Sequence, residues 1–598
     1  MKKLLSALLL LVMLGALLVA CGGKPEDTTP EGTTPPATGP VDPEASLWES
    51  IATDVKAMEE SLRTFKFQMS DMTDGPYHVK CTEYMQGPDS LENAATDIDR
   101  LVFERNDAAK KLLGVTINYT TTADGWSSQA SVIKAATRDS SNSDAADMFV
   151  YTMFDMTMAC FDGCFRELST IEGSYFDWTA DGWHASVMSD MSFDRQKIYV
   201  MASDYFSELW RNMMVLPFNM DMVNAAVSEL GPILLPAGQS APLAGESLSE
   251  YLFEMVLDGK WTYDVLIDMC EAIYVDQGTV GKEDINDRIG IYMDTYRGGP
   301  AASYLFSTSI QCLSDGVGDG TEGVDGGDLN GKYVILIPET GEAMNPVFEA
   351  VGELVNINGS IAGNLSGGVN TKAFAQGLAM SPGPMLLGEL ENEDLAGMTD
   401  VFSVVPLPLV TEGSVDDYNT YLHNAATLGG FNIYSTKYLA MSAYIQYVSE
   451  NSAEIKDEYL QIVMKFKNTT FHLGTSQMLD LIYERVDSVR DMIIDTVLCR
   501  RKEKTTMKEA GGRNVTWGAL LKNESYEIPT AVANGNSAFL DKYESFYSAK
   551  QQSLYELLVE WYALPSAPLP PAEEPPAETP AETPAETPAE TPAETPAE

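Results

Sequence analysis

The sequence predicts an α/β fold, with helices layered on a parallel sheet. Three observations carry this expectation. Apolar residues at helical spacing after Thr96-Asp97 give way directly to a β-rich run at Val115-Thr116-Ile117-Asn118-Tyr119. A second helical stretch, residues 131–136, precedes a buried strand at Asp147-Met148-Phe149-Val150. The body shows no period of 20 to 50 residues, which argues against a solenoid.

The elements follow in order. In the first helix the apolar positions are Ile98, Leu101, Val102, Ala108, Ala109 and Leu112, and Gly114 is placed to cap its end. Later strands are expected at residues 333–337 and 402–405, and one long helical region at 440–467. Residues 44–67 read as helical, within an N-terminal extension spanning 44–74.

Both ends differ from this body. Met1-Lys2-Lys3 is followed by an unbroken apolar run to Val19, then Ala20-Cys21-Gly22-Gly23. A positive start, an apolar stretch and small residues before a cut describe a secretory signal, here residues 1–20. A cysteine directly after the small residue resembles the lipobox of bacterial lipoproteins, which implies acylation of Cys21 and attachment to the extracellular face of the cell membrane. An uncleaved transmembrane helix would be near the lower length limit for spanning. Residues 21–43 are rich in Pro, Thr and Gly and read as a disordered tether. Residues 566–598 end in a Glu-Thr-Pro-Ala repeat, in which proline at every fourth position opposes helix and favours extension.

Charge narrows the functional classes. The 598 residues carry 88 Asp and Glu against 38 Lys and Arg, a formal net charge of −50. Nucleic-acid binding needs clustered cations on phosphates and is excluded on this balance, as is adhesion to anionic lipid through the body. Seven cysteines occur; besides Cys21, Cys160 and Cys164 are close enough for a local disulfide and equally readable as free thiols. His78, His184, His423 and His472 are scattered, so no metal or cofactor signature emerges. The acidic stretch 315–328 has glycine at too many positions where a calcium loop needs oxygens.

Several segments, in order, resemble the carbohydrate-type (family 1) solute-binding proteins of ABC importers. Phe103-Glu104-Arg105-Asn106-Asp107 with Leu113-Gly114-Val115 is similar to that family's first helix-to-strand unit. Ala146-Asp147-Met148-Phe149 follows, then Trp183, Lys197-Ile198-Tyr199, Asp204-Tyr205 and Leu216-Pro217-Phe218-Asn219. Gly259-Lys260-Trp261-Thr262, Gly388-Glu389-Leu390 and Val404-Val405-Pro406-Leu407-Pro408 continue the order. The likeness covers roughly residues 96–500. It implies a two-lobed periplasmic-binding-protein-like fold (type II), each lobe a mixed sheet flanked by helices, with a ligand cleft between lobes. Lobe 1 would comprise 75–212 and 430–485, and lobe 2 would comprise 213–429 and 486–565. It also implies hinge closure on a small-molecule ligand, a carbohydrate, and docking of a monomeric receptor on ABC permease subunits.

A sugar site needs flat aromatics and groups that bond hydroxyls. Trp126 and Tyr151 fall just after the first two strands, Asp204 and Tyr205 near the inferred crossover, and Tyr296-Arg297 in a Gly-flanked turn. Glu389 falls at a cleft loop. Trp183 and Trp261 read more readily as core. Two other readings stay open: a surface glycan hydrolase, which needs paired carboxylates, and a glycan-binding adhesin without transport. No hydrolase motif such as Gly-x-Ser-x-Gly or His-Glu-x-x-His is present.

Overall fold

The structure is a computed structural model. It describes residues 43–72, 79–122, 128–142, 144–192, 197–281, 283–295, 298–308, 314–315, 333–334, 345–365, 367–465, 473–486, 489, 560–561 and 563–564. Residues 1–42, including Cys21 and most of the expected tether, and the repeat at 566–598 lie outside these. Backbone contacts divide the chain into Met1–Ser50 and Ile51–Glu598. Of the first unit only the start of the helix Pro43–Ala57 is described; the second holds the body.

In chain order the strands are β1 (Thr64–Ser70), β2 (Thr116–Thr122), β3 (Met148–Thr152), β4 (Met214–Asn219), β5 (Ile289–Asp294), β6 (Ser314–Asp315), β7 (Tyr333–Val334), β8 (Ser360–Gly363), β9 (Ala379–Ser381), β10 (Met385–Leu386), β11 (Phe402–Val405) and β12 (Thr427–Phe431). One sheet has the order β12-β3-β1-β2. Its β1–β2 and β1–β3 pairs are parallel, whereas β12 returns antiparallel to β3. A second sheet, β8-β5-β9, is parallel, and a third, β10-β4-β11, is antiparallel. The α/β class expected from the sequence is therefore observed, with mixed rather than purely parallel pairing.

The first helix, Asp97–Leu113, begins and ends where its sequence signals lie. Thr96 accepts from the Asp99 amide and Asp99 returns the bond, closing a capping box. Gly114 ends the helix at φ 65°, where a side chain would be strained. Ile98, Leu101, Val102 and Ala109 are buried as the spacing requires. The helix Gln129–Ala136, β2, β3 and β11 also match their sequence expectations.

Two expectations need correction and a third is met in part. Residues 64–67 are not helical: the helix stops at Ala57, and Thr64–Ser70 forms β1, an inner strand of the first sheet. The sequence there alternates, with Phe65, Phe67 and Met69 buried on one face, and period 2 outweighs any helical tendency. The 44–74 extension thus contributes a strand to the body. The region 440–467 is two helices, Tyr438–Glu450 and Ala453–Lys465, broken where the Ser452 hydroxyl bonds back to the Val448 carbonyl. Of the strand expected at 333–337, Tyr333–Val334 is observed and the remainder lies outside the described residues.

The interior of the body is continuous and aromatic-rich. Trp261 is buried, its indole donating to the Pro406 carbonyl at 3.0 Å. Trp561 is also buried and stands edge-on to Phe161 and Tyr199. Beside it the Lys197 ammonium donates to the Leu564 carbonyl at 3.0 Å, fastening this late segment to the irregular stretch that carries Tyr199. Cys160 and Cys164 are both buried and no disulfide joins them.

Candidate functional site

A cleft of about 870 Å³ opens among segments beside β1, β4, β8 and β10, a size suited to a small ligand. Lys80 enters it from the connection after β1. Glu208, Arg211 and Asn212 come from the single-turn helix Glu208–Arg211 that leads into β4. Leu365 and the Gly367-Gly368 pair follow the carboxyl end of β8, and Asn370 and Thr371 open the next helix. Leu386, Glu389 and Glu391 to Asp394 supply the remaining wall from β10 and the turn after it.

Four charged groups organise this wall. Arg211 is 4% exposed and bonds Glu208 at 2.6 Å and Glu391 at 3.1 Å. Lys80 bonds Glu391 at 2.6 Å, while its own backbone amide donates to Glu208 at 2.7 Å. Asn212 adds an amide bond to Glu208 at 3.2 Å. Burial pushes the Glu208 carboxyl up, only partly offset by Arg211. Burial also pushes Glu391 up, but Arg211 and Lys80 outweigh it and hold that carboxyl below its ordinary value.

Behind these charges stands an aromatic cluster. Tyr84 meets Trp210 and Tyr459 edge-on at 5.7 Å each, and Tyr459 donates to Glu391 at 2.5 Å. The Arg211 guanidinium lies 5.5 Å from the Tyr84 ring centre. The cleft is therefore rigidly backed. Both of its bases are spent on carboxylates, while Glu389, Glu393 and Asp394 add further oxygens. Such a wall favours a neutral, hydroxyl-bearing ligand and repels anions.

The carboxyl ends of β1, β2 and β3 carry a second polar set. Gln129 donates to Ser70 at 2.8 Å and accepts from the Thr152 amide at 3.2 Å. Asp155 accepts from the Ala130 amide and the Thr152 hydroxyl. These bonds tie the strand ends to the flanking helices.

The structure distributes the sequence-expected residues among three settings. Glu389 lines the cleft, where its carboxylate accepts from the Leu386 amide at 2.9 Å. Tyr151, Asp204 and Tyr205 are buried. The Tyr151 hydroxyl meets Thr122 at 2.9 Å, and the Tyr205 ring lies under the Arg105 guanidinium at 4.9 Å. Asp204 bonds His184 at 3.0 Å and accepts from Tyr483 at 2.7 Å, with Lys456 at 3.3 Å. Burial pushes the Asp204 carboxyl up, yet His184, Lys456 and the Tyr483 hydroxyl together hold it below the usual carboxylate range. Trp126, Tyr296 and Arg297 lie outside the described residues, as does the acidic stretch beyond Asp315.

Sequence reasoning missed Lys80, Glu208, Arg211 and Glu391. Glu208 and Arg211 do stand at the i, i+3 spacing of an ion pair, but on a helix that spacing is shared by ordinary surface pairs. Among the described residues no group of three or more His, Cys, Asp or Glu is arranged to hold a metal ion.

No family model and no curated protein matches the chain. Solved structures do. The chain is similar to the GacH receptor of Streptomyces glaucescens, solved unliganded and with acarbose: 11% identity, 83% of this chain and 98% of that one, TM-score 0.42. It is similar to a cyclo/maltodextrin-binding protein complexed with maltotetraose, at 12% identity over 82% and 97% of the two chains, TM-score 0.44. It is also similar to the galacto-N-biose-/lacto-N-biose I-binding protein of an ABC transporter from Bifidobacterium longum: 9% identity, 85% and 99% coverage, TM-score 0.43.

Proposed function

We propose that this chain is an exported, lipid-anchored receptor that captures a carbohydrate, an oligosaccharide in particular, by lobe closure and delivers it to an ABC permease without chemical turnover. The observation that carries the reading is the cleft: about 870 Å³, walled by oxygen acceptors and amides, with its bases already neutralised. Hydroxyl-rich neutral ligands are bound by such groups at little desolvation cost to the protein. Glu389, with Trp126, Tyr296 and Arg297 from the segments after β2 and β5, would contact the sugar. Tyr151, Asp204 and Tyr205 would set the strand ends and crossover from behind. The Cys21 motif supports the anchor.

The test is a thermal-shift screen of the mature protein against mono- and oligosaccharides, with peptides and polyamines alongside. A ligand that binds only the folded state raises the midpoint with the logarithm of its concentration. At least one neutral sugar should do so without being cleaved, and Trp126→Ala or Glu389→Ala should abolish the shift. A shift by peptides alone, or release of a cleaved sugar, would reject the proposal. Cys21→Ser should free the protein from the membrane fraction.

A further inference from the structure

Outside the cleft, residues 173–183 gather Tyr175, Phe176, Trp178 and Trp183 in one irregular surface segment. Phe176, Trp178 and Trp183 are each only half-buried. Phe176 and Trp178 stack with ring centres 4.3 Å apart and planes 23° apart. Phe176 also lies 5.9 Å from the buried Phe431 of β12, at 32°. Phe176 thus packs against both the buried Phe431 of the first sheet and the half-buried Trp178. Trp183 stands edge-on to Trp178 at 4.8 Å and to Phe176 at 5.8 Å.

The segment is held in place by the helix Tyr438–Glu450. Ser442 accepts from the Tyr175 amide at 3.1 Å. Gln446 accepts from both the Asp177 amide at 2.9 Å and the Trp183 indole at 3.1 Å. Gly182, at φ 84°, brings the backbone so close to the Ser449 carbonyl that a Cβ would lie 2.3 Å from it. The rings are therefore fixed before any ligand arrives, which lowers the entropy cost of binding. Around them Glu172, Asp177, Thr179 and Asp181 are exposed.

We propose that this platform is a second carbohydrate-binding surface, one that stacks pyranose units of a polysaccharide on Trp178 and its neighbours. Half-buried aromatic rings with exposed carboxylates and a hydroxyl on the same segment match the two chemistries of a sugar ring, its C–H faces and its hydroxyls. Those neighbouring carboxylates disfavour a protein partner, because charged residues are depleted at the centres of protein interfaces. The surface would hold polymer near a receptor that takes up its fragments, but its assignment does not depend on the cleft.

Native affinity electrophoresis of the lipid-free mature protein in gels containing soluble starch, xylan or galactomannan tests this. At least one polymer should retard the protein, and Trp178→Ala should weaken that retardation at least about tenfold. Trp178→Phe should keep most of it, and the midpoint shift by cleft ligands should be unchanged in both variants. The proposal is overturned if none of the three polymers retards the protein, or if Trp178→Ala is retarded like the parent. It is also overturned if Trp178→Ala and Trp178→Phe both lose the cleft-ligand shift, which would mark the tryptophan as structural.

Discussion

Replacing Arg211 with methionine isolates the energetics of the cleft wall. The guanidinium is 4% exposed and is the only basic side chain that bonds Glu208 among the described residues. Its removal leaves a fully buried carboxylate with two remaining donors, the Lys80 amide and the Asn212 side chain. Breaking a buried pair from one side costs about 3–5 kcal/mol, and the surviving donors place this case near 3. Unfolding entropy of about 2.1 cal/mol/K per residue over roughly 500 residues is about 1 kcal/mol per degree, so the midpoint should fall by about 3 °C. Glu208 already titrates above its ordinary value because it is buried, and without Arg211 it moves higher still. A carboxyl raised in the folded state penalises folding above that folded pKa, and the penalty disappears as pH falls toward the unfolded value. The deficit measured by calorimetry should therefore shrink from pH 7 to pH 5, and Arg211→Met with Glu208→Gln should recover more than half of it. A deficit under about 1 °C, one that grows on acidification, or a double variant no better than the single one would refute this account.

Asp204 behaves in the opposite sense. Its folded-state pKa is lowered, so its contribution is present above the unfolded value near 4 and is lost as pH falls through the folded one. Urea titrations should show Asp204→Asn less stable by about 2–3 kcal/mol at pH 7, with a flatter decline than the parent below pH 4. At Gly383, φ is 85° and a Cβ would lie 2.0 Å from the Tyr292 carbonyl; Gly383→Ala should cost more than about 1 kcal/mol in the same titration. Tyr151→Phe removes the hydroxyl bond to Thr122 and should cost about 0.5–1.5 kcal/mol by chemical denaturation.

Much of the fold could be read from the chain because local signals and burial agree. The capped helix after Thr96 is the clearest case, since cap, periodicity and terminal glycine all point to one element. β1 is hidden in the sequence because this inner strand follows a helix with only a short 3-10 turn, Glu60–Arg63, between them. The cleft was less legible. Its wall is assembled from residues hundreds of positions apart, such as Lys80 and Glu391, and in so acidic a chain no single carboxylate stands out. Asp204 stands out in the sequence beside Tyr205, but the Lys456 and Tyr483 that pair with it arrive from far downstream. The sequence offers no means of distinguishing a ligand-facing acid from an interior one.

The late segment around Trp561 has a mechanical meaning. Residues 566–598 join the body just beyond an indole wedged against Phe161 and Tyr199, with Lys197 clasping the Leu564 carbonyl. Tension drawn along the repeat would reach this wedge first and pass into the helices of the first sheet.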